Sequence, residues 1–426
     1  MGTSGVAVSR RRVVITGMGA ITPLGADAAA TWQNLLAGAC GVTTLEDEAF
    51  AALPVRVAAP AAIDPADRLP RSQARTMNRS AQFAVLAARE AWSDAGFRPR
   101  DLHEGDIAAD RVGISMGTII GGAPVLVAAD RVLAGRGARF VSPHTAPMTV
   151  PNGSAAQIAV DLGVRGEART VVSACASGTE AIGQAMDRIR YGHLDVVVAG
   201  GTEAVITPTV MSTFTAMRAL SLGTRGPHAA SRPFDKARDG FVLGEGAGLL
   251  ILEAEEHARA RGARIYCEAV GWGLSADAHH MVSPRPDGAG IIDALRKTLA
   301  DADARPAEVV HVNAHATATV AGDAAEAFAL GEFFGQNQPS VTAPKGALGH
   351  MQGAAGGVEA LITALTLHHG VIPPTIGCDT LDDGMNLDLV VHAPRALTGL
   401  AGLALSTSFG FGGHNAVLAL RPYTPA

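Results

Sequence analysis

The sequence predicts an α/β protein that contains two related halves. Short runs of β-branched and other apolar residues alternate with stretches whose apolar residues recur every three or four positions, as on one face of a helix. Glycine accounts for 50 of the 426 residues and aromatic residues for only 4%, which is typical of enzymes whose turns and active-site loops are built from small residues. Because 48% of the chain is hydrophobic, it can bury a large core.

Seven segments are predicted to be strands, and two apolar faces indicate helices. The predicted strands are Val13–Thr16, Val112–Ser115, Val171–Ser173, Val196–Ala199, Leu249–Leu252, Val309–Asn313 and Ala416–Leu420. The helical faces are formed by Ile182, Ala185, Met186 and Ile189 and by Val358, Leu361, Ile362 and Leu365. We expect most of these apolar residues to lie in the core.

Two internal matches indicate a duplicated α/β unit. VVSACASGT at 171–179 matches HVNAHATAT at 311–319, and GFVLGEGAGLLIL at 240–252 matches SFGFGGHNAVLAL at 408–420. The two matches occur in the same order, and both lie at strand-to-turn positions, as expected for a repeated supersecondary unit.

The predicted halves span roughly 1–262 and 263–426. In the first match Cys175 falls opposite His315. Equivalent turns of two halves can face each other across a pseudo-twofold axis. We therefore expect these two residues to meet in space although they are distant in sequence.

Composition argues against several classes of protein. A net charge of −6 gives no reason to expect nucleic acid as a partner. The four cysteines are far apart and form no CxxC pair, which argues against a metal site or a disulfide framework and suits a reducing cytoplasm. No segment approaches the roughly 18 apolar residues of a membrane span. The run after Arg10–Arg12 is similar to an export signal, but Gly17 and Gly19 interrupt it, so we expect a cytoplasmic protein.

Cys175 is the candidate nucleophile. It follows an apolar strand, lies among the small residues Ser173–Gly178 and precedes an amphipathic helix. The positive end of the helix dipole favours thiolate, which is the reactive form of cysteine. The other cysteines lack such a setting and are expected to be structural; they are Cys40, Cys267 and Cys378.

Several long motifs then follow one another along nearly the whole chain. They are VVITGMGAITPLG at 13–25, SACASG at 173–178, AGGTEA at 199–204, RPFDKARDGFVLGEGAG at 232–248, DAHHM at 277–281, NAHATAT at 313–319, KGALGH at 345–350 and SFGFGGHN at 408–415. With these motifs the sequence resembles the β-ketoacyl-acyl carrier protein synthases, specifically the elongating group of type II fatty acid synthesis. The resemblance implies a thiolase-like fold, in which duplicated βαβαβαββ halves form five layers in the order αβαβα.

The resemblance also implies a reaction. An acyl thioester held on Cys175 would condense with malonyl carrier protein, with loss of carbon dioxide, and grow by two carbons in fatty acid biosynthesis. His315 and His350 would stabilise the enolate that decarboxylation leaves. Lys345 and Glu359 match charged residues that orient the two histidines and tune their protonation.

Further roles follow only from the resemblance. The backbone N–H groups of Cys175 and Phe409 would form the oxyanion hole, and the Phe409 ring would act as a gate to the acyl channel. The residues implied in substrate binding are Thr317, Thr319, Ile120 and Phe411.

The implied partner is an acyl carrier protein, whose phosphopantetheine arm carries the substrates, so no separate cofactor and no metal are expected. Basic patches near the channel mouth would receive this acidic partner. The candidate docking residues are Arg68, Arg71, Arg75, Arg136, Arg139 and Arg218. A homodimer is implied as well.

Three positions depart from the family pattern. Ala316 stands where the family usually has glycine, Thr407 where it often has asparagine, and Val282 where many members have threonine. Ala316 leaves a second hypothesis open, an active ketosynthase of a specialised type II polyketide pathway.

Two other classes fit less well. A biosynthetic thiolase uses a second cysteine near its C-terminal glycine-rich loop, and residues 406–415 contain none. A non-catalytic partner subunit of the chain-length-factor kind lacks the nucleophile, whereas this chain keeps Cys175.

Overall fold

The structure is a computed structural model that describes residues 10–98, 102, 108–399 and 401–425. The strands of this part of the chain are β1 (Val13–Ile21), β2 (Thr43–Thr44), β3 (Val57–Ala59), β4 (Val112–Gly117), β5 (Glu167–Val171), β6 (Val196–Glu203), β7 (Leu243–Gly244), β8 (Gly246–Ala254), β9 (Cys267–Ala276), β10 (Val309–Asn313), β11 (Ser340–Thr342), β12 (Val371–Ile372), β13 (Asp388–Leu389), β14 (Arg395–Ala396), β15 (Leu403–Gly410) and β16 (His414–Arg421).

The α-helices alternate with these strands. They span Ala28–Leu36, Arg71–Ala74, Arg79–Asp94, Ala123–Arg136, Thr145–Thr149, Gly153–Leu162, Ser177–Arg190, Pro208–Ala216, Glu255–Ala260, Ala289–Asp301, Val320–Phe334, Lys345–Leu348 and Ala355–His369. Within the described residues, no helix has the length and apolar character needed to cross a bilayer.

The large sheet shows the predicted duplication. Its strand order is β13-β11-β10-β15-β16-β9-β1-β8-β6-β4-β5. The series β5-β4-β6-β8-β1 and β11-β10-β15-β16-β9 have the same pattern, two parallel pairings followed by two antiparallel ones. The two halves join where β1 pairs with β9, with Val13 opposite Ala269.

Two helices lie between the halves of the sheet and form the middle layer. The helices Ser177–Arg190 and Ala355–His369 contact strands of both halves. Their apolar residues share one core cluster with Leu250 of the first half and Leu418 of the second. Both predicted apolar faces on these helices are buried, which confirms them as core.

Outer helices complete the five layers. Arg79–Asp94 and Gly153–Leu162 pack on the first half of the sheet. Ala289–Asp301 packs on β9 and β16 of the second half, and Val320–Phe334 packs beside it. The predicted αβαβα arrangement is therefore present.

The strand pattern corrects the register of the first sequence match. Strand β10 occupies the position of β4, and β5 that of β11, so 171–179 and 311–319 are not equivalent elements. The second match is confirmed, because β8 and β16 occupy equivalent positions. Short runs of small residues after apolar strands occur several times in this chain, and the first match aligned two that follow different strands.

Six of the predicted strands coincide with observed ones. The seventh, predicted at Val171–Ser173, lies earlier in the chain, at Glu167–Val171. Strand β5 ends at Val171, and Val172 is exposed. At Ser173 the chain already turns, because the Ser177 hydroxyl accepts its backbone N–H at 3.0 Å. Ala174 then has a φ of 49°, which no strand allows.

Gly117 allows the helix that follows Cys175 to lie close to the sheet. A Cβ at this position in β4 would overlap the backbone at Ser177 and Gly178. We expect Gly117→Ala to lower the free energy of unfolding by about 1–3 kcal/mol, because the helix must move away. Urea unfolding would measure the change.

The matched control is Gly331→Ala. Gly331 lies inside the helix Val320–Phe334, and a Cβ there meets no atom within 4 Å. Alanine should stabilise the protein by about 0.4–1 kcal/mol at this position. Equal effects of the two substitutions would contradict the close approach at Gly117.

Candidate active site

Cys175 lies in the turn that leads from β5 into the central helix Ser177–Arg190. Its side chain is buried, with 6% exposed. The turn places the sulfur near the second central helix, 4.0 Å from the Gln352 side-chain oxygen. A hydrogen bond of 2.7 Å between the hydroxyls of Thr179 and Ser408 ties the Cys175 helix to β15.

His350 approaches the sulfur from the segment before the second central helix. Its Nε2 lies 2.9 Å from Cys175 Sγ. The backbone N–H of Gln352 donates to His350 Nδ1 at 3.3 Å, so Nδ1 is an acceptor. The proton of the neutral ring is therefore on Nε2, and His350 presents an N–H donor to the sulfur.

His315 follows β10 and completes the group. Its ring centroid lies 5.4 Å from that of His350, in an edge-to-face arrangement. The sulfur and one ring nitrogen of each histidine lie within 4.8 Å of one another. Sulfur and imidazole donors at this spacing can also hold a metal ion such as zinc. The expectation that the site binds no metal stays a prediction.

Glu326 holds the turn that carries His315. Its carboxylate accepts the backbone N–H groups of His315 at 2.9 Å and Ala316 at 2.7 Å, and the Thr407 hydroxyl at 2.9 Å. Ala316, where the family usually has glycine, adopts a φ of 24°. This region favours glycine, so the carboxylate holds a residue with a side chain in a conformation that it seldom adopts.

One segment connects the two histidine turns. The backbone N–H of Gly240 donates to Ala318 at 3.1 Å, beyond His315. Two residues later the carbonyl of Val242 accepts the backbone N–H of His350 at 2.7 Å. The long motif at 232–248 therefore fixes the two imidazoles relative to each other.

Lys345 and Glu359 form a buried ion pair close to the imidazoles. Their side chains are 1% and 2% exposed. Burial holds the pKa of both His315 and His350 well below the usual value, and the Lys345 cation acts in the same direction. Both imidazoles are therefore neutral at physiological pH, and each carries a single N–H donor.

The thiol of Cys175 is not the thiolate that the sequence analysis predicted. Burial raises its pKa to about 12, since the charged form loses its hydration. The Lys345 cation and two backbone N–H groups oppose this shift only in part. The helix begins two residues later, at Ser177, and the desolvation of the closed pocket outweighs these groups.

The N–H groups at the sulfur are those of Cys175 itself and of Phe411. The resemblance implies Phe409 as the second donor, whereas in the structure the N–H of Phe411 lies at the sulfur. Gly412 and Gly413, with φ of 85° and 75°, shape this loop. The Phe409 ring lies 5.7 Å from the His315 ring, in the pocket wall.

The other predicted substrate residues divide between two cavities. Thr317, Thr319 and Phe411 line the pocket of Cys175, and the two threonine hydroxyls are 3.0 Å apart. Ile120 lines a neighbouring cavity, with Val127 and Val210 among its other walls.

The predicted docking arginines are all exposed: Arg68, Arg71, Arg75, Arg136, Arg139 and Arg218. The guanidinium groups of Arg136 and Arg139 lie 4.4 Å and 4.7 Å from the ring centroid of the exposed Phe140. Arg79, next to the first group in sequence, pairs with the buried Glu245 and has a structural role.

Sequence reasoning missed Glu326, Gln352 and the aromatic wall of Phe241, whose ring lies 5.5 Å from that of His350. Glu326 has only a weak signal, because it is one of three acidic residues in the same helical stretch, with Asp323 and Glu332. For Gln352 the signal was its place two residues after His350 in a run of small residues.

The two charges of the Lys345–Glu359 ion pair have opposite effects on the reactivity of Cys175, and each can be tested by substitution. The Lys345 cation lowers the pKa of the Cys175 thiol, and the Glu359 carboxylate raises it. Lys345→Met should therefore slow alkylation of Cys175 by iodoacetamide, and Glu359→Gln should accelerate it. Because the pKa is about 12, the wild-type rate should rise from pH 7 to 9 without a plateau. Peptide mass analysis would follow the modification.

The double variant removes both charges and serves as the control. Its alkylation rate should lie between those of the single variants. A change in the same direction for both single variants would contradict the electrostatic assignment.

Glu326 can be tested as a positioning residue. Glu326→Gln replaces one acceptor oxygen with an amide N–H that faces a backbone N–H of the His315 turn, and we expect the free energy of unfolding to fall by about 1–3 kcal/mol. Condensation should fall more than acylation of Cys175, because the His315 turn is the part released. The control is Glu332→Gln, an exposed position of the same helix, with an expected change below about 0.5 kcal/mol. Equal losses of both activities would indicate a general defect.

Comparison with known protein families gives matches over most of the chain. Residues 10–258 match the N-terminal domain of β-ketoacyl synthases, and residues 266–379 match the C-terminal domain of the same enzymes.

Curated relatives have the same family character. A 3-oxoacyl-(acyl-carrier-protein) synthase 2 of Staphylococcus aureus is 40% identical over 97% of this chain and 99% of the relative. The protein of the same name from Vibrio cholerae is 40% identical over 97% of this chain and 100% of its own.

Solved structures with the same fold include a β-ketoacyl synthase of Burkholderia phymatum and the ishigamide ketosynthase/chain length factor. Each has a TM-score of 0.88 and 34% identity and covers 97% of this chain and 100% of the other. A type II polyketide ketosynthase, solved with its acyl carrier protein and a bound hexaketide, gives 0.89 at 29% identity, with coverage of 97% and 100%. These likenesses confirm the thiolase-like fold class, and the chain belongs to the β-ketoacyl synthase family of acyl-transferring condensing enzymes.

Proposed function

We propose that this enzyme extends an acyl chain by two carbons, in a decarboxylative condensation between an acyl thioester held on Cys175 and malonyl carrier protein. One observation carries the proposal: the Cys175 sulfur and two neutral imidazoles meet within 4.8 Å in one buried pocket. A nucleophile and two uncharged N–H donors are what such a condensation requires.

In the first step the sulfur of Cys175 attacks the carbonyl carbon of the acyl thioester. The new C–S bond replaces the bond to the pantetheine sulfur, and the carrier thiol leaves with the proton of Cys175. The N–H groups of Cys175 and Phe411, which already lie at the sulfur, donate hydrogen bonds to the negative oxygen of the tetrahedral intermediate. Each preorganised donor of this kind is worth about 3–4 kcal/mol.

In the second step the malonyl thioester loses carbon dioxide. The electrons of the broken C–C bond pass to the thioester carbonyl, which becomes an enolate oxygen. His315 and His350 donate N–H hydrogen bonds to this oxygen, and neutral rings suit this role because they keep their protons during the reaction.

In the third step the enolate carbon attacks the acyl carbonyl on Cys175. A C–C bond forms and the C–S bond to the enzyme breaks, with its electrons going to the sulfur of Cys175, which takes up a proton from water and returns to the resting thiol. The β-ketoacyl product stays on the carrier. Lys345 and Glu359 act as positioning residues, since burial keeps both imidazoles neutral and the Lys345 cation acts in the same direction.

The remaining expectations belong to the same proposal. The chain is divided into halves 1–262 and 263–426, acts in the cytoplasm and uses no cofactor besides the phosphopantetheine of its carrier protein. Exposed Arg136 and Arg139 support docking of an acidic carrier, as do Arg68, Arg71, Arg75 and Arg218.

We also propose a homodimer. Strand β5 lies at the edge of the large sheet, and the helix Ala123–Arg136 contributes no buried residue in the single chain. Leu126 and Leu133 on this helix are 55% and 49% exposed. A second copy would cover this edge and this apolar surface.

A polyketide pathway is the second candidate, because similar solved structures include a type II polyketide ketosynthase with a bound hexaketide. Both candidates use the same chemistry and differ in the acyl chain. A non-catalytic subunit fits poorly, since the nucleophile and both imidazoles share one pocket.

Substitution of the three central residues separates the steps. We expect Cys175→Ala to abolish the acyl-enzyme, because the attacking sulfur is lost, while decarboxylation of malonyl carrier persists. His315→Ala or His350→Ala should permit acylation and lower condensation by about 10²- to 10³-fold, the effect of losing one oxyanion donor. Intact mass would report acylation, and product analysis would report condensation. An acylated Cys175→Ala protein, or a His315→Ala variant with full condensation, would show that the roles are misassigned.

A further inference from the structure

Gln352 is a polar side chain in the wall of the Cys175 pocket that the three reaction steps do not use. It is buried, with 3% exposed. Its Oε1 lies 4.0 Å from Cys175 Sγ, and its Nε2 has no hydrogen-bond partner among the described residues. Whichever way the amide is turned, one polar atom faces the sulfur and the other is unpaired.

Two independent features of Gln352 lower the stability of the folded protein. A buried amide group without a partner loses its hydration and gains nothing in return. The backbone of Gln352 also has a φ of 53°, a conformation that glycine or asparagine adopts more easily. Unpaired groups and backbone strain that persist beside a nucleophile are typical of positions that contact a substrate.

The position of Gln352 indicates which part of the substrate it meets. The N–H groups of Cys175 and Phe411 lie at the sulfur, where they would donate hydrogen bonds to the thioester oxygen. Thr317 and Thr319 lie in the same pocket and match the residues that bind the pantetheine arm. These assignments leave the acyl chain beyond its carbonyl as the part of the substrate for which Gln352 is available.

The residues next to Gln352 lead toward the second cavity. A Cβ on the following residue, Gly353, would lie 2.7 Å from the Thr118 backbone and 2.9 Å from that of Ile119. Ile120, next along the chain, lines the neighbouring cavity. The backbone beside Gln352 therefore packs against the segment that leads to Ile120, which the resemblance implies in substrate binding.

We propose that the side-chain amide of Gln352 donates a hydrogen bond to an oxygen at the β-position of the acyl chain on Cys175, so that the enzyme prefers oxygenated acyl groups to saturated ones. The inference rests on the proposed function. Because the amide is 4.0 Å from the sulfur, only the first few atoms of the chain come within reach. Each condensation leaves an oxygen at the β-carbon, so a chain that returns unreduced or partly reduced carries one there.

The expected preference follows from the cost of an unpaired donor. A saturated chain would fill the space beside Gln352 and leave the amide without a partner, whereas a β-oxygen pairs with it. A site built around such a hydrogen bond rejects the analogue that lacks the oxygen by about tenfold or more.

The test compares two four-carbon thioesters of pantetheine, acetoacetyl and butyryl, which differ at the β-carbon. The rate of Cys175 acylation is measured by intact mass for the wild type and for Gln352→Met. Methionine is unbranched and of similar length, so it bears the same backbone strain without the amide. We expect the ratio of acetoacetyl to butyryl rates to fall about tenfold in Gln352→Met. Comparing this ratio between the wild type and the variant removes the difference in intrinsic reactivity between the two thioesters.

The outcomes separate this inference from the proposed function. An unchanged ratio in Gln352→Met, with both thioesters accepted, would overturn the role of Gln352 and leave the condensation mechanism intact. A folded wild-type protein that accepts neither thioester would overturn the proposed function itself. If Gln352→Met does not fold, Gln352→Glu serves instead, since a carboxylate keeps the size and lacks the N–H donor. An equal loss with both thioesters would show a merely structural side chain.

Discussion

The close approach of the two central helices is the constraint on which the active site depends. Where they meet, a Cβ on Gly178 would lie 2.8 Å from the backbone nitrogen of Gly357, so neither helix could carry a larger residue at this contact. The turn before one helix holds Cys175, and the segment before the other holds His350. Because the helix starts are in backbone contact, the sulfur and the imidazole reach 2.9 Å without any long or flexible side chain. The high glycine content of the sequence is partly explained by this geometry.

The electrostatics of the pocket follow from its burial. A single cation, Lys345, is close enough to act on the thiol and on both imidazoles. Its partner Glu359 is buried with it, and burial raises the pKa of that carboxyl to about 7. The Lys345 cation of this pair disfavours a second positive charge on either histidine. Burial away from water is the shared cause of the neutral imidazoles and the protonated resting thiol.

The sequence predicted the members of the site better than their geometry. Cys175, His315, His350, Lys345 and Glu359 lie together as expected, because each belongs to a long motif with a distinctive pattern. The thiolate was not predictable, since desolvation depends on how completely the pocket closes. The choice between the N–H groups of Phe409 and Phe411 depends on loop dihedrals at glycine. The register of the repeat depended on strand order, which short matches of small residues cannot specify.

The pairing of the last strand has a consequence for how the chain acquires its structure during synthesis. β16, Val417 among its residues, lies between β15 and β9. Until β16 emerges from the ribosome, β15 and β9 have no strand between them, and the central helices lack this part of the sheet on one side. A nascent chain that already contains every reactive side chain therefore still has an incomplete core. Its exposed strand edges can pair with other chains and cause aggregation. Catalytic competence therefore waits for β16, which follows every reactive side chain in the sequence.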